Sequence, residues 1–571
     1  MPRYHYSLFK KRKTPKPHQY FWGRRQWMLG FFILIISLLL YRAIDLQIKN
    51  VDFLQAQGNA RYLRTLPIVA HRGMLMDRNG KPLAISTPVD SVWINPESFV
   101  TARTKWQKLT KLLGLKISNL EKLLANRMQR EFVYIKRHLS PSLARQVTAL
   151  KLPGVFLQRE YRRYYPTREV SAHVLGFTNI DDQGQEGLEL ALNHFLMGVS
   201  GAKQVIQGKN GQIIANVETQ KRPRAGQNIR LSIDNRLQYL AYRELKAAVL
   251  HSKARAGSAI ILDINTGEVL AMVNQPSYNP NNRRSFKGER YRNRVVTDVF
   301  EPGSTIKAFT IAAALESGKY SPTTHVDTHP GHLQLGKYTV RDSRNYGIIS
   351  VATVLKKSSN VGASKIALSL PPERLWQTFA QVGLDHISGS GFPGEVGGRL
   401  PHFSQWRPAQ QASISYGYGV SVTLLQLARA YAALGNGGVL PPIHFLRVNK
   451  VEKKHYQRVM QAETARQLIQ MLEAVVKKGG TGTLAQMRNF RVAGKTGTVR
   501  KHIAGKYSDS EHLALFAGIV PASAPRLVMV VLIDTPRTGS YYGGKVAAPV
   551  FVKVMTAALR LLNVPPDKLV Y

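Results

Sequence analysis

The sequence of 571 residues contains no cysteine. Disulfide bonds, zinc–thiolate sites, iron–sulfur clusters and cysteine nucleophiles are therefore excluded. An absence of thiols is compatible with a bacterial periplasmic protein, in which a free thiol can form a wrong disulfide. Acidic residues are also few, with 34 Asp and Glu against 80 Lys and Arg, for a formal net charge of +46. This excess predicts an anionic partner: nucleic acid, a membrane surface or an acidic polymer.

A long apolar run follows the basic N-terminus. Residues 1–25 carry Lys and Arg but no acid, and residues 27–41 carry no charge. If Arg42 pairs with Asp45 one helical turn on, the run extends to Leu46 and reaches the roughly 20 residues that span a bilayer. No small-residue cleavage site follows closely, so we predict an uncleaved transmembrane anchor at 26–46 rather than a cleaved signal peptide. The positive-inside rule then predicts a cytoplasmic tail at 1–25 and an exported remainder.

Two domains are predicted beyond the anchor. Residues 47–225 mix short strand-like runs with basic helical stretches, which predicts an α+β domain. The polar segment 220–228 marks a boundary. Residues 226–571 have strands at both ends and helices between them, which predicts an α/β domain with an antiparallel sheet covered by helices. In this second domain we expect strands at 229–233, 258–262, 269–273, 516–520 and 527–533, and helices at 237–250, 305–315, 424–434 and 464–476.

The first chemical motif is an S-x-x-K sequence after a Pro-Gly pair. Ser304 is predicted to lie at a helix N-terminus, with Lys307 one turn away on the same face. A partly desolvated lysine beside another cation can lose its proton and accept one from a serine hydroxyl. Read alone, this spacing is more often a helix cap followed by a solvated lysine.

Two further motifs add polar groups. Ser358 could relay protons and Asn360 could hold a substrate amide, although an ordinary polar loop fits the same residues. Lys495, Thr496 and Thr498 present a cation and two hydroxyls suited to a carboxylate, and Gly497 would let a substrate backbone lie against an edge strand. A plain strand turn is the simpler interpretation of this last motif.

The order of the three motifs is more specific than any one of them. The combination S-x-x-K, S-x-N and K-T-G resembles the penicillin-binding proteins and serine β-lactamases, which act on D-Ala-D-Ala or its analogues. Residues 172–179, 187–189, 291–304, 416–419 and 541–544 extend this resemblance to the division-type class B penicillin-binding proteins, the FtsI or penicillin-binding protein 3 group.

This resemblance implies a peptidoglycan D,D-transpeptidase. Ser304 is implied as nucleophile, Lys307 as general base and Ser358 as proton relay, with Asn360 and Lys495 assisting; Thr496, Gly497 and Thr498 are implied to bind the substrate. The backbone N–H groups of Ser304 and Thr498 are implied to hold the oxyanion. Tyr541 and Tyr542 are expected either to form a pocket wall or to pack in the core. No metal or organic cofactor is expected.

The resemblance also implies location and partners. The protein is expected in the bacterial inner membrane at the division septum, with residues 47–225 as a periplasmic pedestal of the dimerisation type. Its expected partners are peptidoglycan stem peptides, β-lactam antibiotics, the membrane, the glycosyltransferase FtsW and other division proteins, but no nucleic acid. The expected acyl acceptor is a meso-diaminopimelate amine.

Other classes of protein fit less of the sequence. An elongation-type enzyme, penicillin-binding protein 2, usually has proline at the position of Glu301. A bifunctional class A enzyme would need a glycosyltransferase signature in residues 50–225, and a β-lactamase would need an added general base for hydrolysis. A non-catalytic anchored polyanion binder or penicillin-sensing protein would make the three motifs a coincidence. The predicted function is therefore septal cross-linking through a Ser304 acyl-enzyme.

Overall fold

The computed structural model describes residues 19–208, 213–282, 288–449, 456–503 and 505–568. The basic tail predicted at 1–25 lies outside the described residues as far as residue 18. An α-helix at Gln19–Ile44 continues into a π-helical turn at Asp45–Lys49. Within the described chain, this is the single helix that is long and apolar enough to cross a membrane. The predicted pair forms, with 2.7 Å between Arg42 Nη1 and Asp45 Oδ2.

A short helix joins this span to the first domain. It covers Val51–Tyr62 and leads directly into the strand Leu63–Ile68, and none of the residues in it whose burial is described is buried. The helix before it is interrupted at Asn50, whose backbone leaves the helical conformation (φ −107°, ψ 12°). The domain that follows is therefore carried on a solvent-exposed arm, which we call the arm helix.

The first domain contains two small sheets with helices packed beside them. One sheet has three antiparallel strands, and the other is organised around the long strand Pro82–Ile94, which pairs antiparallel with a strand on either side. The Asn79-Gly80 turn predicted from sequence is present, with Gly80 in the left-handed region (φ +83°). The remaining strands are Leu75–Met76, Val133–Leu139, Val155–Tyr164, Gly201–Gln207, Ile213–Lys221 and Ile229–Arg230, and the longer helices are Trp106–Leu113, Ile117–Ala125 and Pro141–Ala149.

A buried ionic cluster holds three distant segments of this domain together. Glu189 is fully buried and accepts hydrogen bonds from Arg72 at 2.6 Å and Arg163 at 2.6 Å. Arg163 also donates to the carbonyl of Gly73. Because a buried carboxylate is tolerated only when it is paired and hydrogen-bonded, these contacts fix the segments around residues 72, 163 and 189 against one another.

The second domain has a five-stranded antiparallel sheet with helices on both faces, so the predicted fold class is confirmed. Alternate residues of each strand face opposite layers, as Ile260 and Ile261 do. The strands in spatial order are Val269–Gln275, Ala256–Asp263, Leu527–Asp534, Lys506–Val520 and Ala493–Ile503. Helices Asn235–His251 and Ala548–Leu561 cover one face, and Lys307–Glu316, Leu424–Gly435 and Ala462–Val476 cover the other.

Most elements predicted in the second domain lie within two residues of their predicted bounds, and three differences have a clear structural reason or affect the site. The strand expected at 229–233 is short, Ile229–Arg230. The helix expected from residue 305 begins at Lys307, after a 3₁₀ turn at Gly303–Ile306. The strand expected at 516–520 starts ten residues earlier, at Lys506, because its polar first half pairs through backbone hydrogen bonds with the strand before it. Hydrophobic periodicity cannot detect such an exposed hairpin.

Candidate functional site

Ser304 lies in the 3₁₀ turn Gly303–Ile306, which leads directly into the helix Lys307–Glu316. Gly303 has φ +52°, and its N–H donates to the carbonyl of Gly417 at 3.1 Å. A Cβ on Gly417, which has φ +92°, would come within 2.2 Å of the Gly303 carbonyl oxygen. The turn that carries Ser304 is therefore held against the 416–419 loop by a backbone contact that only glycine permits.

Lys307 follows one turn later and is fully buried. Its Nζ donates to the backbone carbonyl of Ser358 at 2.6 Å and to Asn360 Oδ1 at 2.7 Å, and it lies 3.3 Å from Ser358 Oγ. Burial, and after it the charge of nearby Lys495, holds the pKa of Lys307 well below the ordinary lysine value. This lysine is therefore positioned by two strong acceptors and predisposed to lose its proton.

Ser358 lies between two lysines. It joins the helices Val351–Lys357 and Asn360–Leu368 in the left-handed conformation (φ 60°). From the other side, the fully buried Lys495 donates from Nζ to Ser358 Oγ at 2.8 Å. Burial lowers the pKa of Lys495 to about 7. A single hydroxyl thus contacts both ammonium groups and can pass a proton between them and a bound molecule.

Asp342 orients the second motif and was missed by the sequence analysis. Its carboxylate accepts from Ser359 Oγ at 2.5 Å and from the backbone N–H groups of Asn360 at 2.5 Å and Val361 at 3.1 Å. An anion at a helix N-terminus is favoured by the unpaired N–H groups there. Because Asp342 follows a separate strand, Tyr338–Arg341, no local spacing in the sequence could indicate this contact.

The third motif lies on the strand at the edge of the five-stranded sheet, Ala493–Ile503. Thr496 Oγ1 lies 2.8 Å from Thr481 Oγ1, and Thr498 Oγ1 accepts from the Gly543 N–H at 3.1 Å. A Cβ on Gly497 would meet Thr305 at 3.1 Å. Glycine at position 497 therefore lets the edge strand pack closely against the turn that carries Ser304. Thr481 lies in the run Gly479-Gly480-Thr481-Gly482-Thr483, whose glycine content was the available signal for a loop near the site.

These groups border one open cleft of about 540 Å³. Lys307 and Lys495 are buried and contact Ser358 of this cleft, and Gly497 lies between Thr496 and Thr498, so all eight residues that the three motifs predicted are gathered here. Tyr542 lines the cleft and is 52% exposed, whereas Tyr541 is 40% exposed and stacks on His512 at 4.2 Å in a neighbouring cavity. Neither tyrosine packs in the core. The predicted residues that line the cleft are Ser304, Ser358, Asn360, Thr496, Thr498 and Tyr542. Asp342, Lys357 and Lys545 line it too and were not predicted.

Glu301 connects the Ser304 turn to two other loops. Its Oε1 accepts from the Gly419 N–H at 2.8 Å and from the Tyr507 hydroxyl at 3.0 Å. Burial raises the pKa of Glu301, although both hydrogen bonds lower it. The contact with Tyr507 ties the tip of the edge hairpin to the turn that carries Ser304. Among the described residues, no three His, Asp or Glu side chains converge on a possible metal site.

Two family models match the chain. Residues 257–556 match the penicillin-binding protein transpeptidase domain, and residues 67–231 match the penicillin-binding protein dimerisation domain. The chain is 39% identical to the peptidoglycan D,D-transpeptidase FtsI of Escherichia coli K12, over 98% of this chain and 95% of that protein. It is 40% identical to the probable peptidoglycan D,D-transpeptidase PbpC of Pseudomonas aeruginosa, over 94% of this chain and 96% of that protein.

Two solved structures are similar to the chain as well. The transpeptidase domain of penicillin-binding protein 3 from Burkholderia pseudomallei is 42% identical with a TM-score of 0.55, covering 59% of this chain and 98% of that one. Penicillin-binding protein 3 from Mycobacterium tuberculosis, in complex with aztreonam, is 28% identical with a TM-score of 0.68, covering 88% of this chain and 98% of that one.

Proposed function

We propose that this chain, which belongs to the class B penicillin-binding proteins of the FtsI type, cross-links stem peptides at the division septum. As a peptidoglycan D,D-transpeptidase, it would do so through an acyl-enzyme on Ser304. The observation that supports this most strongly is that Ser304 lines one cleft together with Ser358, whose hydroxyl contacts both buried lysines. Ground-state geometry of this kind suits a serine nucleophile activated by a neutral amine.

The first step is proton transfer from Ser304 to Lys307. A neutral lysine has two N–H groups and one lone pair. The Ser358 carbonyl and Asn360 Oδ1 accept the two N–H groups at the shortest distances, which leaves the lone pair for the hydroxyl of Ser304. Burial, and after it the charge of Lys495, lowers the pKa of Lys307. We assign the neutral form to Lys307 and the positive charge to Lys495.

The second step is attack on the penultimate D-Ala carbonyl of a D-Ala-D-Ala stem. The terminal carboxylate meets charged Lys495 and the hydroxyls of Thr496 and Thr498, and the N–H groups of Ser304 and Thr498 hold the oxyanion. Ser358 passes the proton taken up by Lys307 to the departing amine, and terminal D-Ala leaves. An amine of a neighbouring stem then attacks the ester, returns Ser304 to its hydroxyl form and completes the cross-link.

The proposal also assigns a location and a role to each of four segments of the chain. Residues 1–25 form a cytoplasmic tail, 26–46 the inner-membrane anchor, 47–225 a periplasmic pedestal and 226–571 the catalytic domain. The basic residues before the anchor support this orientation. The pedestal would carry the contacts with FtsW and other division proteins, and β-lactams would acylate Ser304 in place of the stem peptide. Glu301 at a position where elongation-type enzymes usually have proline supports the division role.

Ser304→Ala should abolish covalent labelling by penicillin. Intact mass after incubation should show one added penicillin on the wild type and none on the variant, with an acylation rate lower by at least about 1,000-fold. Ser343→Ala is a matched control, since Ser343 lines the same cleft. Equal labelling of wild type and Ser304→Ala would refute the assigned nucleophile.

The rate of acylation should depend on pH in a bell shape. On the acid side the rate falls as Lys307 takes up a proton and ceases to be a base. On the alkaline side it falls as Lys495, with a pKa of about 7, loses the charge that attracts the carboxylate. Stopped-flow acylation by a fluorescent penicillin measures both limbs. Lys495→Arg should remove the alkaline limb, because guanidinium keeps its charge; an unchanged alkaline limb in this variant would contradict the role of Lys495.

Depletion of the protein should produce filamentous cells, because septal cross-linking stops while elongation continues. Microscopy of a depletion strain complemented with wild type or with Ser304→Ala gives the comparison. Only the wild type should restore division. Round cells on depletion would instead assign the chain to elongation.

A further inference from the structure

The pedestal carries a dense basic surface that the proposed transpeptidation does not use. Residues 103–130 contain eight Lys and Arg and a single acid, Glu121. All eight are exposed, and we call this surface the basic face. Its members are Arg103, Lys105, Lys108, Lys111, Lys116, Lys122, Arg127 and Arg130. The segment contributes a net charge of +7 to the +38 that remains outside residues 1–25.

The fold directs this charge outward. The helices Trp106–Leu113 and Ile117–Ala125 bury their apolar sides, including Leu109 and Leu120, in the core of the pedestal. One ion pair lies within the face, between Arg103 and Glu121 at 3.0 Å. In the part of the chain that the structure describes, the other seven basic side chains have no carboxylate partner. Charges that are neither paired internally nor needed for packing are available to an external anion.

The end of the basic face at Arg130 lies beside the strand that follows the arm helix. Glu131, next to Arg130, contacts Arg64 at 3.8 Å, and Arg64 is in the strand that directly follows the arm helix. The 12 residues of the arm helix span about 18 Å at 1.5 Å per residue. The helical path is interrupted at Asn50, just before the arm helix, and no side chain whose burial is described in this helix is buried, so packing does not fix the pedestal at one angle to the anchor.

We propose that the basic face docks on anionic lipid headgroups of the membrane that holds the anchor. The anchor keeps the face within a short distance of that surface, so each charge acts at a high effective concentration. Exposed apolar residues accompany the charges: Ile117 is 40% exposed and Met128 is 43% exposed. Mixed basic and apolar exposure is typical of surfaces that enter the headgroup layer. Docking would tilt the pedestal and set the height of the catalytic cleft above the membrane.

Fluorescence energy transfer on the full-length chain in lipid nanodiscs tests this proposal. Since the chain has no cysteine, Asn119→Cys provides a single labelling site on the exposed side of the second basic helix. With an acceptor dye on the lipid headgroups, transfer should be higher in discs of mixed phosphatidylglycerol and phosphatidylcholine than in discs of phosphatidylcholine alone. The difference should decrease as salt is added, because mobile ions screen the attraction.

Matched charge variants separate the basic face from overall charge. In the Asn119→Cys background, the triple variant K108Q/K111Q/K122Q should lose roughly half or more of the lipid-dependent rise. The control R374Q/R488Q/R560Q removes the same charge from exposed arginines of the catalytic domain and should keep the rise. Unchanged penicillin labelling of both variants shows that they are folded.

Two results would overturn the proposal. One is equal transfer in the two kinds of disc, and the other is an undiminished rise in the K108Q/K111Q/K122Q variant. If, in addition, purified peptidoglycan pelleted the wild type in a salt-sensitive manner and failed to pellet the triple variant, the basic face would be assigned to an anionic glycan. Neither result depends on transpeptidase activity, so failure here leaves the assignment of Ser304 intact.

Discussion

The site depends on two buried lysines that share one serine. Lys307 and Lys495 are both inaccessible to solvent, and both contact the hydroxyl of Ser358. Two ammonium groups so close together in a dry environment cannot both remain charged at neutral pH, because burial and mutual repulsion favour the neutral form of one. The acceptors on Lys307 fix its orientation, and the proton it gives up makes it a base beside Ser304. Nucleophile activation and carboxylate recognition are thus two consequences of one electrostatic constraint.

The fold maintains this constraint with segments that are distant in sequence. The edge strand supplies Lys495, a junction between two helices supplies Ser358, and a 3₁₀ turn supplies Ser304. Asp342 fixes the junction, and Glu301 fixes the turn through the hairpin tip. Because each support comes from a different segment, a change far from the cleft can move a reacting group. None of these site residues comes from the pedestal, so the surface of the pedestal can have other roles.

Much of this could be predicted where the signal is local. Hydrophobic patterning predicted four of the five strands in the sheet of the second domain and four of the five helices that cover it. The resemblance of the three motifs to the penicillin-binding proteins grouped Ser304, Lys307 and Lys495. What could not be predicted depends on non-local pairing. Asp342 belongs to no motif with a recognisable spacing. The part of the hairpin that begins at Lys506 is polar on both faces. The basic excess was visible from composition, but only the folded helices show that the charge of residues 103–130 faces outward.

The most direct test of the shared-serine arrangement is a pH titration of the two lysines. NMR of protein labelled with carbon-13 at the lysine ε-position reports the protonation of each. Lys495→Ala and Lys307→Ala assign the two resonances. The account predicts that the Lys495 signal titrates near pH 7 and that the Lys307 signal also titrates well below the ordinary lysine pKa of about 10.4. If both lysines keep their protons up to that ordinary value, Lys307 is not a neutral base at physiological pH, and the account is wrong.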